Sequence, residues 1–283
     1  MDEAQQYSVA AAESYKSVSG IGNGELVERG INDWLHDVLR ETLPGTGIVL
    51  DAGCGSGRLF PNLRGHGRTL LGVDSSRAML ENISGNKEIL ECTDSFALAC
   101  LLERLQTRQE VHALASLETF LPQLGSARHV DAAVSSFNAV CFPHPRCATN
   151  PIATCLKTGG SLYFTSNAFI PSDQITYGDI DLFDSSLHGA YPHAQMFRHV
   201  LHTTQGDVPL QDHVHHMGML CEAFDPRCWT MQQCKIFPGE GCTHLSQTDT
   251  RYADAYAAHA PATLLEPSDG FTYVKLGVHA TRK

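Results

Sequence analysis

The chain has 283 residues, 42% of them hydrophobic and 18% charged, with a formal net charge of −11. That length fits one elaborated domain able to bury a core without disulfide or metal staples. The negative charge disfavours nucleic acid, whose phosphates are bound by displacing counterions with Lys and Arg, and no run of about 18 apolar residues is present to cross a bilayer. The start, MDEAQQ, is acidic with no apolar segment behind it, so neither a secretory signal nor a transit peptide is expected and the expected location is the cytoplasm. Ten scattered cysteines without CxxC pairs read as reduced thiols.

Residues 7–15 are Ala-rich and expected to be helical, with a turn-rich joint over 17–24 that would let them act as a flap. Val27, Ile31, Trp34, Leu35, Val38 and Leu39 recur at helical spacing over residues 24–43, and Pro44-Gly45 should stop that helix. Trp34 belongs to the core. A strand over 47–52 runs into Asp51-Ala52-Gly53-Cys54-Gly55-Ser56-Gly57, a glycine turn whose backbone can approach a ligand closely. A helix over 57–64 follows, with Pro61 near its first turn. The second strand, 68–74, ends in Asp74, where an acid can accept hydrogen bonds from ribose hydroxyls. Ser75-Ser76 caps the next helix, which runs through Ile83.

Two segments compete as third strand, residues 87–91 and residues 110–114, separated by a helical stripe capped by Asp94; one of these pieces is an insertion. Residues 129–136 form a buried strand opening onto a loop over 137–145. Asn150-Pro151 starts a helix that Gly159-Gly160 closes, and 161–165 is the next strand. Strands alternating with helices predict right-handed crossovers and a parallel sheet, an α/β doubly wound architecture. Residues 271–280 form a last strand with 229–236 as partner. Two stretches break the alternation, 167–226 and 238–268; they contain short helical pieces at 194–201 and 251–259, and such excursions at the carboxyl end of a sheet hold substrate.

The chain resembles the class I S-adenosylmethionine-dependent methyltransferases of small-molecule type. VLDAGCGSGR (49–58) is similar to that family's first motif, LLGVDSS (70–76) to its second, VDAAVSSFNAV (130–140) to its fourth and LKTGGSLYFTS (156–166) to its fifth-strand signature. The GxGxG rhythm of Gly53, Gly55 and Gly57 after a strand-terminal acid differs from the GxGxxG of dinucleotide enzymes. The resemblance implies a seven-stranded, mostly parallel sheet with an antiparallel last strand, a helical lid over residues 1–44, and a methyltransferase domain over 45–283 whose insertions cap the substrate. It implies S-adenosylmethionine as cofactor, with Asp51 and Gly53 at its methionine end, Gly55 in the turn, Asp74 on the ribose, Ser75 against the adenosine, and Ser136 and Phe137 at the methionyl part. At the adenine, Asp94 has the better spacing from Asp74, while Ser116-Leu117-Glu118 has the better spacing to the fourth strand and would leave Ser116 in the acid's place. Tyr7 and Tyr15 could close over the cofactor.

The loop after the fourth strand reads Ser135-Ser136-Phe137-Asn138 rather than the Asn/Asp-Pro-Pro-Tyr type of enzymes that methylate base nitrogens, which together with the charge favours a small-molecule acceptor. Methyl transfer is an in-line displacement, so positioning is the main task and a base is needed only where the acceptor must lose a proton. His144, His193, His213, His215 and His216 are the candidates, with His213, His215 and His144 foremost; His213 and His215 share one face of an extended strand. No metal is expected, because no Cys or carboxylate stands at a ligand interval from the histidines. Phe169, Tyr177, Phe183 and Tyr191 could line an apolar pocket. A catalytically silent partner protein of the same fold is the alternative, and a protein or RNA methyltransferase a third, which would need an electropositive groove. Oligomeric state stays open, with a homodimer as the candidate.

Overall fold

A computed structural model describes residues 29–83, 88–127, 129–136, 142–171, 173, 177–188, 195–203, 206–238 and 271–283. The first described helix, α1 (Arg29–Thr42), leads into β1 (Gly47–Ala52), α2 (Phe60–Leu63), β2 (Arg68–Asp74), α3 (Arg77–Glu81), β3 (Ile89–Glu91), α4 (Ser95–Thr107), β4 (Glu110–Leu114), α5 (Leu117–Ala127), β5 (Val130–Ser136), α6 (Arg146–Cys155) and β6 (Leu156–Pro171). A two-residue β7 (Gly178–Asp179) and a hairpin of β8 (Gln195–Thr203) and β9 (Gly206–His216) come next, then α7 (Met217–Ala223), β10 (Trp229–Pro238) and β11 (Phe271–Arg282). The expected flap at 7–24, residues 1–28 of the expected 1–44 lid, and the 238–268 insertion beyond Pro238 lie outside the described residues.

The strands form one sheet in the order β3-β4-β2-β1-β5-β6-β11-β10-β7, with the β8–β9 hairpin joined through β9 to β6. From β3 to β6 every pairing is parallel; β11 runs antiparallel between β6 and β10. The doubly wound mixed sheet is therefore present, with eleven strands among the described residues rather than seven. β3 is added outside β4, β7 outside β10, and the hairpin beside β6. Both segments that competed for the third strand are strands: β4 lies beside β2, and β3 with α4 is the inserted unit.

Alternation along the strands divides the core into two layers. Val49, Ala132, Val134 and Tyr163 pack against Ile31, Trp34 and Leu35 of α1, Phe60 and Leu63 of α2 and Leu80 of α3. Ile48, Leu50, Ala133, Leu162 and Phe164 pack against Leu101 and Leu105 of α4, Phe120 and Leu124 of α5, Ile152 of α6, and Met217 and Leu220 of α7. Trp34 is in the core as expected, its indole N–H donating to Gln233 Oε1 at 2.9 Å.

Three local expectations are corrected. Residues 194–201 do not make a helical piece; β8 is a strand, because its segment Met196-Phe197-Arg198-His199-Val200-Leu201 pairs along its whole length with β9 and tertiary pairing overrides a short periodic signal. Asn150-Pro151 does not start α6, which begins at Arg146 and carries Pro151 inside, where the proline gives up one i→i−4 hydrogen bond of the helix. Gly159-Gly160 does not close that helix either. The helix ends at Cys155 and the strand begins at Leu156, while the glycines sit where β6 bulges: Val130 pairs with Leu156 but Ala132 with Ser161, and Gly159 takes φ +78° to make the turn.

α5 and α6 approach so closely at Gly125 that an added Cβ would stand 2.3 Å from the Thr154 carbonyl oxygen. Replacing a helical glycine by alanine ordinarily gains about 0.8–1 kcal/mol. Here the obstruction is backbone, so Gly125→Ala should destabilise by about 1–3 kcal/mol, the range for overpacking. Chemical denaturation checks this, and a rise in the midpoint would show that the two helices can part.

Candidate functional site

The site is built where β1 and β2 end. Gly53 and Cys54 donate to the Val73 carbonyl at 2.8 and 3.0 Å, folding the glycine turn back over β2. Gly53, Gly55 and Gly57 take φ of +73°, +54° and +76°, the left-handed region that side chains disfavour. A Cβ at Gly55 would stand 3.2 Å from Met79 Cε, and one at Gly57 3.0 Å from the Phe60 ring, so bare backbone lines this hollow for a steric reason as well. Asp74 accepts the Gly55 N–H on Oδ2 and the Ser76 N–H on Oδ1, both at 2.8 Å. Ser76 caps α3 as expected, its Oγ accepting from the Met79 N–H. Burial raises the Asp74 pKa above the usual carboxylate value, against the lowering pull of the Ser76, Gly55 and Ser75 backbone donors.

Asp51 is buried at the end of β1, and among the described residues its Oδ2 has no hydrogen-bond partner. Burial first, and the charge of Asp74 second, push its pKa up to about 7, with Arg58 opposing. An orphaned, fully buried carboxylate oxygen is costly, and it fits a cationic ligand group that would complete it. Cys54 beside it is kept a thiol, its pKa raised by burial and by both acids. Ser136, at the end of β5, accepts from Thr165 Oγ1 at 3.2 Å and from Arg58 Nη2 at 3.4 Å. A buried acid at the first strand, backbone hollow beside it and an acid at the second strand together fit the amino-acid and ribose ends of S-adenosylmethionine.

At the adenine end, Asp94 is occupied as the cap of α4, accepting from the Ala97 N–H at 2.9 Å. Ser116 follows β4, beside β2, and its Oγ donates to Glu118 Oε2 at 3.0 Å; Leu117 behind it is core. The structure thus brings Asp51, Gly53, Gly55, Asp74, Ser75, Ser116, Leu117 and Ser136 to one edge of the sheet. Phe137, Tyr15, Tyr7, Tyr191 and His193 lie outside the described residues. Of the other aromatics, Phe169 is buried and Tyr177 is 51% exposed.

The histidines 144, 213 and 215 come together across 71 residues of sequence, near enough for the charges of His213 and His144 to bear on His215. His215 is wholly buried. Its Nε2 lies 2.9 Å from the Phe142 carbonyl oxygen, which can only accept, so Nε2 carries the hydrogen and Nδ1 accepts from Ser166 Oγ at 3.3 Å. Burial brings its pKa down to about 4. Ser166 extends the sheet face that holds α4–α7, whereas Asp51 and Ser136 alternate onto the α1 face, so His215 and Asp51 stand on opposite sides of the sheet. His144 is partly exposed, receives the Arg146 N–H on Nδ1 and faces Glu222 at 3.5 Å; burial lowers its pKa. Among the described residues, no group of three or more His, Cys, Asp or Glu is arranged to hold a metal.

Sequence reasoning passed over Arg58 and Ser166. Arg58 had a signal, a basic residue closing the glycine turn of an acidic chain; Ser166 had none, since only the fold sets it against His215.

Residues 24–227 match the family model described as "Methyltransferase domain". No curated protein sequence matches the chain. Among solved structures, the [4+2]-cyclase SpnF is similar over 88% of this chain and 80% of its own, at 16% identity and a TM-score of 0.50, a likeness of fold. An S-adenosylmethionine-dependent methyltransferase from Mesorhizobium loti is similar over 87% of this chain and 96% of its own, at 17% identity and TM-score 0.46. Magnesium protoporphyrin IX methyltransferase from Synechocystis, with its cofactor bound, covers 93% and 81% at 15% identity and TM-score 0.44. With the family model spanning most of its length, the chain belongs to the methyltransferase-domain family, as an enzyme whose cofactor is S-adenosylmethionine.

Proposed function

We propose that the protein moves the methyl group of S-adenosylmethionine to oxygen, nitrogen or carbon of a small metabolite. The observation that carries this reading is the buried Asp51 Oδ2, partnerless among the described residues beside a glycine turn whose Gly55 N–H is held by Asp74. The cofactor supplies an electrophilic methyl on a sulfonium. Asp51 then holds the ammonium at the methionine end, Gly53 and Gly55 let that end approach the backbone, Asp74 accepts from the ribose hydroxyls while keeping its two N–H donors, and Ser75, Ser116 and Leu117 flank the adenosine. Phe137 and Tyr15, which the family resemblance implies at the cofactor, lie outside the described residues.

The acceptor side is built from the insertion within 167–226. A net charge of −11 supports a small acceptor over nucleic acid. Catalysis rests on alignment. His215 is a tether between β6, β9 and residue 142, and the partly exposed His144 and His213 are the groups to take a proton where the acceptor is a hydroxyl.

Asp51→Asn should abolish the heat of S-adenosylhomocysteine binding in calorimetry. It should also raise the melting temperature of the ligand-free protein at pH 8. The folded state keeps the Asp51 proton up to about pH 7, whereas an unfolded aspartate loses it near pH ~4. The stability this carboxyl contributes is complete below the unfolded value and is lost as pH rises through about 7, so a neutral amide is favoured at pH 8. A variant that binds as wild type sinks the assignment of Asp51.

The same proton governs affinity. Because only the ionised carboxylate pairs with an ammonium, the Kd for S-adenosylhomocysteine should rise about tenfold per pH unit below 7, as the competent fraction falls. A flat profile between pH 5 and 8 would contradict this.

His215→Ala removes two buried hydrogen bonds and leaves a cavity, a loss of about 2–4 kcal/mol. Its denaturation midpoint should drop while calorimetric binding of S-adenosylhomocysteine persists. Unchanged stability would mean that His215 is not a tether.

A further inference from the structure

The proposal below deepens the cofactor reading and rests on it. A methionine end is a zwitterion, and Asp51 answers only its ammonium. Asp51 is in register with Val134 on the neighbouring strand, so both side chains share a face. Ser136 lies two residues further along β5 on that same face. Two residues of strand advance about 7 Å. That is the separation needed between a carboxylate and a cation when an ammonium and a carboxylate on one carbon lie between them, each one hydrogen bond (about 2.8 Å) from its partner.

The cation that reaches Ser136 is Arg58. It follows Gly57, whose φ of +76° turns the chain at the end of the hollow, and its Nη2 reaches Ser136 Oγ at 3.4 Å. The side chain is exposed, and the contact is long for a hydrogen bond that already competes with Thr165 Oγ1 at 3.2 Å for the same oxygen. A guanidinium offers five donors in a planar fork, so it can keep Ser136 on one nitrogen and present others to a carboxylate. Its charge also acts on Asp51.

We propose that Arg58 binds the carboxylate of the cofactor's amino-acid end, forming with Asp51 a two-point clamp on the zwitterion, with Ser136 holding the guanidinium in place. The clamp reads the amino acid and is indifferent to the nucleoside. It should therefore discriminate S-adenosylhomocysteine from 5′-methylthioadenosine, which has the same nucleoside and sulfur but neither charged group.

Calorimetry with these two probes on the full chain tests it. Arg58→Gln should weaken S-adenosylhomocysteine by about tenfold or more, the loss of one charge-assisted hydrogen-bonded contact at a solvent-facing site, and leave 5′-methylthioadenosine unchanged. Arg58→Lys should recover part of the loss, since a point charge replaces the fork. Arg58 is exposed, so the folded state should survive both substitutions, and an unchanged melting temperature verifies that. Undiminished affinity of Arg58→Gln for S-adenosylhomocysteine overturns the proposal, and so does an equal loss for both probes, which would place Arg58 at the nucleoside. If wild-type protein binds neither probe, the cofactor reading itself fails.

Discussion

Two backbone N–H groups, of Gly55 and Ser76, converge on the carboxylate of Asp74, and the geometry of the site depends on that convergence. One belongs to the glycine turn after β1 and the other to the first turn of α3, so a single side chain welds the exits of two neighbouring strands. The weld continues outward: Ala115 N–H donates to the Asp74 carbonyl, and Cys92 N–H to the Leu114 carbonyl, so the ends of β2, β4 and β3 are tied in sequence. Each charge-assisted bond is worth about 1.5–3 kcal/mol, yet the carboxyl's pKa is raised because burial outweighs these two donors and that of Ser75 together. The folded chain therefore ionises Asp74 at some cost in stability.

Asp51 sharpens that conflict. A second acid is buried a short way along the same edge, in a chain already carrying −11, and each acid raises the cost of ionising the other. A structure selected for stability alone would place an apolar residue there, as at Leu50 and Ala52 on either side. Local strain and unmet polar atoms concentrate at functional sites. Two neighbouring acids opposed by the single guanidinium of Arg58 therefore leave an electrostatic cost at the ends of β1 and β2.

The donor side was legible because its chemistry is local. β1 and β2 match their expected limits to the residue, and Asp51, the glycines, Asp74 and the Ser76 cap all lie within 26 positions of one another. The order of strands beyond β2 was harder, because residues 89–91 and 110–114 have the same apolar character and only lateral pairing shows which lies beside β2. Residues 194–201, which belong to β8 from Gln195 on, were misjudged for the same reason, since a short apolar periodicity carries no record of its partner. Least legible was the histidine cluster. Alternation placed His213 and His215 on one face correctly, but neither the burial of His215 nor the carbonyl of Phe142 that binds it, 73 positions away, has a local signal.

β6 joins the two faces of the sheet. Thr165 and Ser166 are consecutive, so their hydroxyls point to opposite faces: Thr165 to Ser136 on the donor side, Ser166 to His215 and thence to the β9 segment of the insertion. Which hydroxyl meets which partner is a matter of register, and a slip of one residue would exchange them. The register is set several residues earlier, where residues 157–160 bulge between the Val130–Leu156 and Ala132–Ser161 pairs. Gly159 alone there has a positive φ, and a Cβ on Gly160 would stand 2.9 Å from the Lys157 carbonyl oxygen and 3.0 Å from that of Asp131. The two glycines whose sequence suggested a helix stop therefore act at a distance, by fixing the phase of the strand that meets Ser136 on one side and His215 on the other.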